Sequence, residues 1–280
     1  VYVPSFYRVE YNEDGTIGSR LPAREGSIPK KIISCPKSTA PAVSRTVVLT
    51  KDTEFADTVL VELGRGCGWS CRFCAAGYVY RPPRQHRKED VLESLDGALT
   101  ESQQIGLLSA SVLDTPGIND IFDRITEKGG RFSVSSLRAN LLTEDILQRL
   151  KRSGQKSLAI APEAGSERLR RVINKHLTNE QIINAVRMIA RVRDFSLRLY
   201  FLIGLPTETR DDLEEIVSLV KVIKHHMVKE SKGRGTIGRI RLSVNCFIPK
   251  AFTPFQWFPM ETVASLKEKQ KWLKKAVERE

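Results

Sequence analysis

Gly64-Arg65-Gly66-Cys67-Gly68-Trp69-Ser70-Cys71-Arg72-Phe73-Cys74-Ala75-Ala76-Gly77 sets three cysteines at C-x3-C-x2-C spacing. Immediately upstream, Thr58-Val59-Leu60-Val61-Glu62-Leu63 reads as a strand. Spacing this close lets one loop wrap its thiolates around a small polynuclear centre. A tetrahedral zinc site would show ligands in two pairs, and a second pair is missing. Iron–sulfur clusters take Cys thiolates, usually one per iron. Three thiolates on a [4Fe–4S] cube leave one iron free to bind and activate a small molecule.

Downstream of this loop the pattern is regular. Helical spacing of Val91, Leu92, Leu95 and Leu99 predicts a helix over 89–103, followed by strands at 105–111 and 132–136 around a helix at 117–128. Thr143 is placed to cap a helix that Gly154 ends, and a fourth strand follows at 157–161. Ser166 opens a short basic helix, and Thr178-Asn179-Glu180-Gln181 has capping-box form. Strands at 197–203 and 239–247 flank a helix over 210–228 that opens with Asp211 and Asp212, and a basic amphipathic helix begins near Glu261. Six strands alternate with helices, and their unbroken apolar runs predict strands covered on both faces. Right-handed βαβ units then predict an α/β fold, a partial (β/α)6 TIM-like barrel with parallel strands.

Upstream, Asn12-Glu13-Asp14-Gly15 signals a hairpin, several prolines keep 22–41 loop-like, and 46–50 reads as a short strand. The expected organisation is an irregular lead-in over 1–50, a barrel over 51–259 and a terminal helix over 260–280. The chain starts without Met, which we read as excision from a longer protein with a domain upstream. No apolar run has the length of a membrane span. Five cysteines, three of them clustered, fit a reduced cytoplasmic compartment better than a disulfide scaffold. Cys246 reads as a packing residue, and Cys35 as structural. The net charge of +12 suits RNA, an acidic cofactor or an acidic partner, but the aromatic-and-basic interleaving of a single-strand platform is not evident. Nucleic acid is therefore not the favoured partner.

Cys67, Cys71 and Cys74, with Phe73 at the aromatic position before the third cysteine, resemble the C-x3-C-x-aromatic-C loop of the radical S-adenosylmethionine (SAM) superfamily. The resemblance covers about 58–257 and is strongest here and at Gly204-Leu205-Pro206-Thr207-Glu208-Thr209. It implies a [4Fe–4S] cluster on the three thiolates, with SAM chelated to the open iron. One-electron reduction, from a donor such as ferredoxin or flavodoxin, would cleave SAM to methionine and a 5′-deoxyadenosyl radical. The family's other contacts lie at the carboxyl ends of the strands. Arg138, at the end of the third strand, is a cation at the site mouth for the SAM carboxylate or the substrate, and the resemblance points to Glu163 in Ala161-Pro162-Glu163-Ala164-Gly165-Ser166 for the ribose or methionine and to Lys175 for the SAM carboxylate. Arg170 and Arg171 compete with Lys175, and Tyr200 is placed to face the ribose. At Ser109-Ala110-Ser111 the family's usual Glu is absent; Ser109 or backbone carbonyls stand in, and Asp114 comes later. The four histidines have no metal-ligand spacing with the cysteines.

Val1-Tyr2-Val3-Pro4-Ser5-Phe6-Tyr7 and the Thr253-Pro254-Phe255-Gln256-Trp257 ending resemble an uncharacterised branch often fused to a cobalamin-binding domain. That resemblance implies cobalamin-linked methyl transfer, with cobalamin held by a domain outside this chain. A tRNA-modifying, methylthiotransferase-like enzyme is the alternative. A non-enzymatic iron–sulfur electron carrier is the reading from another class.

Overall fold

The structure is a computed structural model and describes residues 3–15, 17–24, 26–31 and 42–278. Two compact units divide the chain, Val1–Pro41 and Ala42–Glu280. The first contains an antiparallel hairpin of β1 (Tyr7–Tyr11) and β2 (Ile17–Pro22). Its turn is the expected one: Gly15 N–H donates to Asn12 O at 3.0 Å, with Gly15 at φ +79°. Cys35 lies outside the described residues.

In the second unit, β3 (Thr58–Glu62) leads into the cysteine loop, whose base is pinched by a two-residue ladder of β4 (Gly64–Arg65) and β5 (Arg84–Gln85). Then come α1 (Lys88–Glu101), β6 (Gln104–Leu108), α2 (Ile118–Glu127), β7 (Arg131–Val134) and α3 (Glu144–Arg152). The second half holds β8 (Ser157–Glu163), α4 (Glu167–Val172), α5 (Asn179–Val192), β9 (Ser196–Ile203), α6 (Arg210–Ser231), β10 (Ile240–Cys246) and α7 (Val263–Glu278). Strands β3-β6-β7 form one parallel sheet and β8-β9-β10 another. A parallel bridge from Leu137 to Ile160 joins them, with Leu137 N–H donating to Ala159 O at 2.7 Å. The six strands thus follow one another in chain order. Among the described residues β3 and β10 do not pair, so the barrel is partial and open.

Side-chain caps fix several helix starts. Thr143 accepts from Ile146 N–H, and Thr178 and Gln181 complete the capping box at 3.2 and 3.0 Å. Gly154, at φ +82°, turns the chain out of α3. No helix of the described residues is long and apolar enough to cross a membrane.

Three expectations change. Residues 46–50 form no strand: only Arg45 bridges Val61, and Thr46 N–H reaches Leu60 O at 2.9 Å. β6 also ends at Leu108, so 109–111 belong to a strand-end loop. The larger revision concerns burial. Leu197, Leu199, Phe201 and Ile203 of β9 are fully buried in one core with Val186 and Ile189 of α5 and Ile216 and Ile223 of α6. Arg198, Tyr200 and Leu202, on the opposite face, are exposed or half-buried. The other strands alternate in the same sense, so helices cover one face of the sheets. A closed barrel fills its interior with bulky side chains. Here the inner faces carry Gly106, packed under Leu60, with the half-buried Ala159, Ala161, Tyr200, Leu202 and Ser243 and the exposed Arg198 and Arg241.

Candidate functional site

The cysteine loop is held by its own backbone and by α4. Gly66 sits at φ +92°, and a Cβ there would lie 2.5 Å from Tyr80 O. Only glycine fits where the two ends of the loop approach this closely. Inside the loop Cys67 N–H donates to Ala76 O at 3.1 Å and Cys74 N–H to Cys71 O at 3.0 Å. Ser70 adopts φ +55°, and its carbonyl accepts from Asn174 Nδ2 at 2.9 Å and Tyr78 Oη at 2.7 Å. Arg72 N–H donates to Ile173 O at 3.0 Å, and the Arg72 guanidinium to Val172 O. Arg72 reads from sequence as a solvated side chain; it ties the loop to the end of α4. Phe73 packs on a small second core of Ala164, Leu169, Ile173, Leu205, Phe247 and Phe255 at the carboxyl ends of the strands.

All three thiols line one cavity of about 180 Å³, with Trp69, Phe73, Arg138, Glu163 and Lys175 on its walls. Among the described residues no three His, Cys, Asp or Glu side chains gather as they would around a single metal ion. A cube spreads its thiolates over three separate irons. Three thiols on one shared cavity are the donor set that an iron–sulfur cluster takes.

Charged side chains complete the walls. Lys175 Nζ lies 3.1 Å from Glu163 Oε1, and both side chains are largely buried. Glu163 ends β8 at φ +68°, beyond a register shift between Ile160 and Glu163. A carboxylate held in the left-handed region at a strand bulge is a feature of functional sites. The Arg138 guanidinium stacks 3.6 Å over the Trp69 ring and donates to Lys175 O at 2.9 Å. Trp69 Nε1 donates to Asp114, which thereby fastens the strand-end loop after β6 to the cysteine loop. Burial pushes the Cys71 thiol up, against the pull of Lys175 and Arg138 toward thiolate. Burial likewise lowers the Arg138 pKa, opposed by Cys71 and Cys67. The site thus presents soft donors, two cations and one carboxylate at the carboxyl ends of the strands.

The candidates divide cleanly. Cys67, Cys71, Cys74, Phe73, Arg138, Glu163 and Lys175 share the one cavity. Ser109 does not; it lines a wider neighbouring cavity of about 810 Å³ with Leu60, Glu62, Arg65 and Tyr80. Ala110 stands in the wall of both cavities. Tyr200 is half-buried on the lumen face of β9, in register with Ser243 and away from the thiol cavity. Arg170 is not a free cation. It is 1% exposed and donates to Ala164 O, Gly165 O and Leu177 O at 2.7–2.9 Å, and to Asn179. Arg171 is exposed and lies near Glu167. Sequence reasoning missed Trp69 and Asn174. The signal for Asn174 was its place just past a short helix, where asparagine often takes the left-handed conformation; it has φ +57°.

Comparison with protein families matches residues 61–220 to the Radical SAM superfamily. An uncharacterised protein of Methanocaldococcus jannaschii is 36% identical over 233 residues, covering 82% of this chain and 49% of that protein. A tRNA-2-methylthio-N(6)-dimethylallyladenosine synthase of Carboxydothermus hydrogenoformans is 26% identical over 175 residues, covering 57% and 39%. Among solved structures, the cobalamin-dependent S-adenosylmethionine radical enzyme OxsB with aqua-cobalamin and S-adenosylmethionine bound superposes with a TM-score of 0.52 at 18% identity. That match covers 76% of this chain and 36% of that one, and shows a shared fold. The chain spans about half or less of the length of these curated relatives.

Proposed function

This chain belongs to the radical SAM superfamily, whose members are enzymes that use a [4Fe–4S] cluster and SAM, and from that premise we propose that Cys67, Cys71 and Cys74 hold such a cluster and that SAM binds beside it. The observation that carries the reading is the convergence of the three thiols with Arg138, Glu163 and Lys175 on one cavity. When bound, the cluster supplies the electron that cleaves SAM to methionine and a 5′-deoxyadenosyl radical. The chain's own residues orient SAM and exclude water. Lys175 and Arg138 are the cations for its carboxylate. Glu163 accepts hydrogen bonds from the amino group or ribose hydroxyls. Phe73 and Trp69 wall the cavity with apolar surface. The division into a lead-in (1–50), barrel (51–259) and terminal helix (260–280) belongs to the same proposal, as does an external reductant.

For the outcome we favour cobalamin-linked methyl transfer, with cobalamin supplied by a domain outside this chain; the likeness to OxsB supports it at the level of fold. Methylthio transfer to tRNA is the second reading, favoured by the similarity to the Carboxydothermus synthase and by the +12 charge. A tRNA affinity that falls steeply with salt would select that reading.

The test is anaerobic reconstitution. The protein is expected to take up about four irons per chain, and Cys71→Ala to lose them. Dithionite and SAM are then expected to give 5′-deoxyadenosine. An intact cluster that leaves SAM uncut would return the chain to the role of an electron carrier.

A further inference from the structure

The inner face of the sheets holds a second feature far from the thiols. Arg198 of β9 and Arg241 of β10 are register partners in the parallel ladder. Their backbones are about 4.8 Å apart, and their side chains stand on the same face. That face is the lumen, because the alternate residues Leu197 and Leu199 are buried under the helices. Both arginines are exposed, and neither side chain has a hydrogen bond or ion pair among the described residues. Like charges set directly opposite each other destabilise a sheet. Most other arginines in β8–β10 and their helices are paired: Arg187 and Arg191 share Glu230, and Arg168 holds Asp212. This pair is bare. Beside Arg198 on β8 stands Ala159, which leaves space at the guanidinium.

The residues above it on this face are exposed or half-buried. Tyr200 is in register with Ser243, and Leu202 with Asn245. Ala161 lies on the neighbouring strand, and Glu163 closes that column at the thiol cavity. Arg198 is five residues below Ile203, roughly 16 Å at the usual strand rise. One continuous inner face therefore runs from the candidate site down to two unpaired forks suited to bidentate oxyanion contacts.

We propose that Arg198 and Arg241 seat a phosphate group at the far end of the substrate. The substrate is then a phosphorylated compound long enough, on the order of a nanometre, to place its reacting carbon at the strand ends while its phosphate lies in the lumen. Two adjacent cations match a dianionic phosphate better than a single carboxylate. The inference deepens the proposed function and rests on it for the word substrate, but the anion seat is read without the cluster.

The test uses the chain of 280 residues without iron, and titrates it calorimetrically with sodium pyrophosphate and, separately, with sodium succinate. Pyrophosphate is expected to bind, and Arg198→Gln/Arg241→Gln to weaken it on the order of tenfold or more. Arg198→Lys/Arg241→Lys is expected to fall between the two. Lys271→Gln, an exposed change on α7, is expected to leave binding as it was. Circular dichroism checks that each variant is folded. After reconstitution, 5′-deoxyadenosine formation without substrate is expected to be unchanged in the double Gln variant. Pyrophosphate affinity unchanged in that variant overturns the proposal. Succinate binding as tightly as pyrophosphate overturns the assignment to phosphate. Loss of uncoupled SAM cleavage in the double variant also overturns it, since the arginines would then be serving SAM. A reconstituted protein that cleaves no SAM counts against the proposed function and leaves the anion titration standing.

Discussion

Arg170→Met separates two roles that look alike in sequence. Arg170 reads as a competitor for the SAM carboxylate, yet the structure commits its guanidinium to three backbone carbonyls and Asn179. Methionine keeps the length of the chain and removes every donor. Each charged hydrogen bond contributes about 1.5–3 kcal/mol, so losing the bonds to Ala164 O, Gly165 O and Leu177 O costs ~4.5–9 kcal/mol. Burial acts in the opposite direction. It pushes the Arg170 pKa down to about 10. The variant escapes that desolvation, which offsets part of the loss. The net loss expected is the ~3–5 kcal/mol of breaking a buried ionic contact. In a unit of this size about 1 kcal/mol moves Tm by ~2–4 °C, so a fall of at least ~6 °C is expected. Differential scanning calorimetry of the iron-free protein at neutral pH reads it, with Arg170→Lys expected in between. A Tm within about 1 °C of wild type would refute the account. So would unchanged stability together with lost SAM binding, which would make Arg170 a ligand contact.

Two further outcomes test the site and its frame. Glu163→Gln is expected to weaken SAM binding by about tenfold while iron content stays the same, the loss of one charge-assisted contact; equal affinity in equilibrium dialysis removes Glu163 from the SAM contacts. Asp212 reports on acid stability. Burial raises its pKa, but hydrogen bonds from Arg168, Ser166 and Thr209 outweigh that and hold it at about 2. Its folded pKa lies below the ordinary value of about 3.9, so its contribution is present above that value and is lost as pH falls toward 2. Asp212→Asn is expected to lower stability at neutral pH and to flatten this part of the acid limb. An acid limb parallel to wild type from pH ~4 to ~2 would refute that assignment.

Where local chemistry decides, the sequence was readable. The C-x3-C-x2-C loop, the Thr143 and Thr178 caps and the Gly154 terminator act within a few residues of themselves. The six-strand order follows from alternation of period alone. The one-sided burial of the strands was not readable, and β9 shows why. Leu199-Tyr200-Phe201-Leu202-Ile203 is apolar throughout, because Tyr200 and Leu202 set apolar surface on the inner face. An unbroken run then looks the same whether its second face meets helices or the barrel interior. Ser109 lines a different cavity from the thiols for a related reason. β6 ends three residues early, and the loop that follows turns Ser109 toward the wider cavity while Ser111 joins the thiol cavity. The clamp on Ser70 depends on Asn174, 104 residues away, which no local pattern reports.

That clamp makes residues 163–179 the hinge on which the site's geometry turns. The segment delivers Glu163 and Lys175 to the cavity, holds the Ser70 carbonyl through Asn174, and receives the Arg72 backbone at Ile173. Arg170 fastens the same segment to itself from within, and Gly165 lets it press against α6, where a Cβ would lie 2.2 Å from Ile216 N. The thiol loop and the carboxylate turn are therefore positioned by one element. A lesion in it is expected to disturb cluster retention and SAM affinity together, as Gly165→Ala would. A lesion at Glu163 itself, whose side chain only reaches inward, should disturb SAM affinity alone. Iron content measured beside SAM affinity in Gly165→Ala and Glu163→Gln distinguishes the two. If Gly165→Ala folds, loses SAM binding and keeps its iron in full, the loop and the turn are positioned independently, and α4 is not their common support.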